Sequence, residues 1–103
     1  MAYTIRPEDR FDGKDHFDAW KFKIMMVVEE NDVKQFVDST SRQPTIEPHK
    51  SIWSKGNRKA IQIILDGVKN KIVHMLTKHQ TTFNMMNALL NAYEVNNATK
   101  ASH

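Results

Sequence analysis

Four kinds of side chain in this sequence have chemistry that could build a site. The carboxylates Asp12, Asp15 and Asp18 recur at every third residue. Grouped at a turn and helix start, they suit either a divalent cation or the favourable field of a helix N-terminus. The second use is the expected one, because the patterned loop and distal Glu of an EF-hand are absent. Five histidines, His16, His49, His74, His79 and His103, are scattered along the chain. His74 and His79 are five residues apart, a poor match for one helix face, and no Cys is present to complete a zinc set. Ser39, Ser41, Ser51 and Ser54 stand in no motif that would sharpen a nucleophile. The three glycines are well separated, so there is no phosphate-cradling loop. Arg58, Lys59, Lys69, Lys71 and Lys78, with His79 beside them, can neutralise phosphates, which predicts weak, sequence-indifferent and salt-sensitive RNA contact. No aromatic residues alternate with these charges, which argues against a stacking platform for single strands. The expectation is a protein that is not an enzyme and that uses no metal, cofactor or small-molecule substrate.

The chain must still position these groups. Its 103 residues are enough for one domain with one modest core. A hydrophobic content of 40% with 26% charged residues indicates an ordered globular chain rather than a disordered one. No apolar run approaches the roughly 18 residues of a membrane span. Residues 1–10 lack the apolar stretch of a secretory signal, and the absence of Cys gives no pointer to an oxidising compartment. The expected residence is intracellular, in the cytoplasm, with no membrane partner. Charge is unevenly spread. Residues 1–40 carry six Lys/Arg against nine Asp/Glu, a balance of −3, while residues 41–103 carry nine against three, a balance of +6. Such halves can satisfy each other internally, meet a second copy head to tail, or contact polyanions.

The stretch 11–28 organises the rest. Phe11-Asp12-Gly13 is a turn signal, and Asp15 is placed to cap a helix. Phe17, Trp20, Ile24, Val27 and Val28 then recur at three- and four-residue steps, which predicts a helix to about Glu30. Phe22, Met25 and Met26 widen its apolar face, so contact with neighbours on two sides is expected. Asp32 suits the cap of a short second helix carrying Val33, Phe36 and Val37. A polar loop with Pro44 and Pro48 leads to a third helix, served at its start by Thr45 or Glu47. There Trp53, Gly56, Ala60 and Ile64 share a face, and the two small residues allow another helix to come close. Asp66-Gly67 breaks the pattern. Ile72 and Leu76 mark a fourth helix, and Phe83, Met86, Leu90 and Tyr93 a fifth that can start at Thr81. No segment alternates as a strand does. The predicted fold is all-α, a compact bundle of about five helices. Its core is expected to hold Phe11, Phe17, Trp20, Ile24, Val28, Phe36, Trp53, Ala60, Ile64, Ile72, Leu90 and Tyr93, with both tryptophans largely buried. Residues 1–10 are expected as a flexible arm, 11–97 as the helical domain and 98–103 as a frayed tail. Met25, Met26, Met85 and Met86 suit core filling, or else an adaptable groove for a partner peptide.

The order of residues resembles the first capsid lobe of copia-type LTR-retrotransposon Gag proteins. The similarity is carried by Phe11-Asp12-Gly13, an aromatic at Phe17, then Trp20-Lys21-Phe22-Lys23-Ile24. It continues with Asp32-Val33, Phe36-Val37-Asp38, Trp53, Ala60, Ile63-Ile64-Leu65 and finally Ala88 to Glu94 with its Tyr93-Glu94 pair. It spans about residues 10–97. Two departures stand out: Gly13 and Trp20 are one residue further apart than that pattern has them, and the usual aromatic after the turn is shifted to Phe17. No second capsid lobe, zinc knuckle or protease is included. The resemblance therefore implies a fold like a retroviral capsid N-terminal domain and a structural role in virus-like particle assembly, by self-association or contact with other Gag chains. It does not imply knuckle-type RNA packaging. The expected contact residues are the exposed charges of the first and third helices, Lys21, Lys23, Glu29, Glu30, Lys55, Arg58 and Lys59. The competing reading is a helical adaptor, such as a domesticated Gag-derived inhibitor, that binds a peptide or a Gag partner through an apolar groove. Elemental analysis of desalted protein is expected to find no stoichiometric zinc, and one zinc per chain would overturn that expectation.

Overall fold

The computed structural model describes residues 5–14, 16–38 and 42–94. Asp15 with its expected capping role, Ser39, Ser41, and the tail with His103 lie outside the described residues. Among the described residues the chain is all-helical, with five α-helices and no strand.

Residues 5–10, the described part of the expected arm, run beside the domain. Pro7 opens a 3-10 turn, Pro7–Asp9. Ile5 packs on the core, and the Arg10 Nε–H donates to the Asp66 carbonyl at 2.9 Å. The chain then turns. The Asp12 carboxylate accepts the Lys14 N–H at 3.0 Å, and Gly13 takes φ +88°, which a side chain would resist.

Helix α1, Phe17–Glu30, buries Phe17, Trp20, Ile24, Val27 and Val28, the stripe that the periodicity predicts. It is entered through His16, whose left-handed φ of 67° lies in the segment that is one residue longer than the resemblance leads one to expect. Of the residues that widen its apolar face, Met25 packs against the core, whereas Phe22 and Met26 are exposed. The Asn31 side-chain amide donates to the Val27 carbonyl at 2.8 Å and so satisfies one last-turn acceptor. Asp32 takes φ 58° and forms the turn itself. The cap position of α2, Lys34–Val37, falls to Val33, with no side-chain bond, so Asp32 does not cap.

Helix α3, His49–Asp66, starts with the Glu47 carboxylate accepting both the N–H and the hydroxyl of Ser51, at 3.0 and 2.6 Å. It touches α1, α2 and α5. The close approach expected at its small residues is made by Phe36 of α2: a Cβ on Gly56 would overlap the Phe36 ring. Ala60 and Ile64 are fully buried, and Trp53 is partly buried and packs against the core. It lies toward the start of α3, where Phe36 meets it edge to face at 5.6 Å.

The corner after α3 holds the fold shut. Gly67 has an ordinary φ of −91°, so its lack of a side chain serves space rather than backbone freedom. A Cβ there would lie 2.7 Å from Ile24 Cδ1. The Gly67 carbonyl accepts the Phe11 N–H at 3.0 Å and the Trp20 indole N–H at 2.7 Å. The Lys69 N–H returns to the Phe11 carbonyl at 2.9 Å, so residues 11 and 68 form an isolated parallel bridge.

Helix α4, Asn70–Leu76, buries Ile72 and Leu76. Helix α5, Thr82–Leu89, is capped as expected, the Thr81 hydroxyl accepting the Asn84 N–H at 3.1 Å. A π-helical turn, Leu90–Glu94, follows it. A π-turn is wider than an α-turn, so the face shifts there. Leu89 is the fully buried leucine, and Leu90 and Tyr93, expected in the core, are half-buried and pack against it. Tyr93 stands over Phe11 at 4.8 Å and Phe17 at 5.8 Å.

A buried polar node ties α3 to α5. The Asn57 side-chain oxygen accepts the Thr82 N–H at 3.0 Å and the Thr82 hydroxyl at 2.8 Å. Its amide group donates to the Gln80 carbonyl at 3.2 Å. Thr82 is fully buried and Asn57 nearly so.

Two expectations about stability follow from this packing. Helix propensity alone would make Gly56→Ala stabilising by about 1 kcal/mol. The collision with Phe36 reverses the sign, and a net loss of about 1–2 kcal/mol is expected from overpacking. Asn57→Ala strands the buried Thr82 N–H, while the Thr82 hydroxyl keeps the backbone carbonyl of residue 57 at 3.1 Å, and is expected to cost roughly 2–3 kcal/mol, whereas Thr82→Val, which removes only the hydroxyl, costs about 1 kcal/mol. Thermal unfolding monitored by circular dichroism checks both; a Gly56→Ala protein that melts higher, or an Asn57→Ala protein no weaker than Thr82→Val, would contradict this account.

Candidate interaction surfaces

Some of the groups with catalytic or ligating chemistry are engaged locally. Among the described residues no three His, Asp or Glu side chains converge as a metal site would need. Asp12 holds its own turn, Ser51 is bound to Glu47, and His16 and His49 sit at the starts of α1 and α3. Nor is any helix of the described residues long and apolar enough to cross a membrane.

The expected contact charges divide into two groups. Lys21 is half-buried and pairs with Glu94 at 2.7 Å, joining α1 to the π-helical turn. Lys23 lies 3.7 Å from Asp9, which also takes Arg6 at 3.4 Å. These two lysines hold the domain's own ends. Glu29, Glu30, Lys55, Arg58 and Lys59 are exposed instead. The apolar residues beside them were not among the expected contacts. Phe22 is 70% exposed, Met26 47%, Ile46 73% and Ile52 65%, values that mark surface no described element covers. On α1, Phe22 and Met26 are one turn apart, with Asp18 one turn before and Glu29 and Glu30 one turn after. On α3, Ile52 precedes Lys55 and Lys59 on the same side. The sequence signal for the first patch was the apolar excess beyond a single stripe.

A groove lined by four methionines does not form. Met85 and Met86 are buried in the core, while Met26 is on the surface of α1. Nor do the basic residues gather at one cavity. Lys69 and Lys71 flank the start of α4, with Lys71 against the Gly13 turn. Lys78 lines an open groove of about 560 Å³ with Met75, Asn84 and Asn87. Arg58 borders a different cavity, of about 260 Å³, beside Trp53, Asn57 and Gln80. A further cavity of about 290 Å³ lies next to it, lined by Phe36, Arg42, Trp53 and Phe83. Hydrogen bonds among the described residues employ the side chain of Asn57.

No family model, no curated protein and no solved structure matches this chain.

Proposed function

We propose that this chain is a first capsid lobe of a copia-type Gag protein and works by self-association in a shell. The observation that carries the proposal is a pair of uncovered apolar patches with opposite charged borders. Phe22 and Met26 on α1 are bordered by Asp18, Glu29 and Glu30; Ile52 on α3 is bordered by Lys55 and Lys59. One patch of a copy fits the other patch of its neighbour. Such a heterologous contact repeats without using itself up, as rings and lattices require.

The residues that carry the resemblance support the same reading. Phe11 and Trp20 meet at 5.5 Å, Tyr93 closes over Phe11, and Lys21 binds Glu94. The two ends of the resemblance thus share one structural job, closing the lobe. They leave the surface of α1 and the early part of α3 for partners.

The energies suit reversible assembly. Burying a side chain of the size of Phe22 contributes about 1.5–3 kcal/mol, and an exposed ion pair adds at most about 1 kcal/mol. Sedimentation velocity from micromolar to millimolar protein should show concentration-dependent association that loosens with salt. Phe22→Ser should weaken it by about tenfold or more without lowering the melting temperature, because Phe22 is already exposed. Charge reversal of Lys55 and Lys59 to Glu should weaken it as well, and reversal of Glu29 and Glu30 to Lys in the same chain should restore part of the loss. A strict monomer at millimolar concentration and low salt would reject self-association and favour the adaptor reading, with the Phe22–Met26 patch docking on another Gag-derived chain.

A further inference from the structure

Two cavities adjoin at Trp53 and together present an aromatic and basic surface, called the groove below. They share Gln43, Trp53 and Thr81 in their walls. On one side stand Phe83 and Arg42, on the other Arg58 and Gln80. Trp53 and Phe83 are half-buried, and Arg42, Gln43, Arg58 and Gln80 are exposed. Among the described residues no acidic side chain lines either cavity.

We infer that this groove binds single-stranded nucleic acid, with a base stacked in the Trp53–Phe83 cleft and the flanking phosphates held by Arg42 and Arg58. The side chains match the chemistry. An indole or phenyl face accepts any base, which makes stacking tolerant of sequence. A guanidinium offers a planar fork of donors that fits a phosphate. The amides of Gln43 and Gln80 each present a donor and an acceptor, the pair a base edge needs. A duplex does not fit this chemistry, since its bases are already stacked and its grooves present edges, not faces. A peptide is the less favoured occupant, since among the described residues the groove walls offer no open strand edge for it to pair with. The linear order of residues hides the arrangement, because Arg42, Trp53, Arg58 and Phe83 come from a loop and two helices. The inference is independent of self-association, which rests on Phe22, Met26 and Ile52.

Fluorescence titration of the intact chain tests it. Trp53 is the half-exposed tryptophan and Trp20 the buried one, so stacking should quench the redder part of the emission. A short oligouridylate should quench it saturably, with a Kd on the order of 10–100 µM at moderate salt, and log affinity should fall against log salt with a slope of about −1.4 for two phosphates. Trp53→Leu should weaken binding about tenfold, read by anisotropy of a labelled oligouridylate, with the slope unchanged. Arg58→Gln should reduce the slope by about 0.7. It is an exposed substitution, so it tests the groove even if Trp53→Leu unfolds the chain. Lys69→Gln with Lys71→Gln should change affinity less than about twofold. Oligothymidylate bound as well as oligouridylate identifies stacking and phosphate contact alone; a preference for oligouridylate adds the ribose hydroxyl and identifies RNA. Duplex bound as tightly as single strand, equal losses for the Lys69/Lys71 and Arg58 substitutions, or no saturable quenching would each overturn the proposal. Saturable quenching by an acidic peptide, with none by the oligonucleotides, would assign the groove to protein and overturn it as well.

Discussion

A single carbonyl oxygen, that of Gly67, closes this fold. It accepts the Phe11 N–H and the Trp20 indole N–H, so both of its acceptor directions are used. Gly67 and Trp20 are buried, and a buried acceptor left without partners costs about 1–3 kcal/mol. That penalty ties three places in the chain together: the turn before α1, the first turns of α1, and the corner between α3 and α4. Gly67 must lack a side chain for Ile24 and the Trp20 indole to come this close. The Lys69 N–H bond back to Phe11 then makes the contact a bridge rather than a point. Ile5 packs on the core and Arg10 is tied to the Asp66 carbonyl on the same side of the domain.

The middle of α3 is held by different chemistry. Asn57 and Thr82 join it to the start of α5 through a fully bonded polar node. One residue before Asn57, Phe36 seats on Gly56. Helix α3 is therefore gripped along its length by α1, α2 and α5. Surfaces carried on such a helix keep their geometry, which is what a repeating contact or a stacking groove requires. Trp53 belongs to both worlds. Its contact with Phe36 orients it, and its half-exposure leaves it in the wall of two cavities.

The residues that resemble a capsid lobe are, in this structure, closing residues. Phe11, Phe17, Trp20 and Tyr93 form one aromatic cluster with ring centres 4.8–5.8 Å apart. Lys21 and Glu94 pair beside it. A motif split between the two ends of a chain makes physical sense when those ends must meet. The same logic separates fold from function: the residues that carry the resemblance hold the domain together, while exposed Phe22, Met26 and Ile52 carry the proposed assembly.

Much of this architecture was legible in the sequence. Period and caps are local properties, so the α1 stripe, the small residues at positions 56 and 60, the break at Asp66-Gly67 and the Thr81 cap could all be read from neighbours a few residues apart. The errors have equally local causes. Asp32 has a capping side chain but takes a left-handed turn, and the π-helical turn rotates Leu90 and Tyr93 partly out of the core that regular spacing assigns to them. Tertiary structure alone decided three further things. It chose Asn57 and Thr82 as a buried polar pair, which no periodicity marks, because their bonds cross 25 residues. It left Phe22 and Met26 bare, because an apolar residue is buried only if some other element arrives to cover it, and none of the described elements does. And it set Arg42, Trp53, Arg58 and Phe83 around one groove, since a site built from separate elements exists only once long-range hydrogen bonds and core packing have fixed where those elements lie.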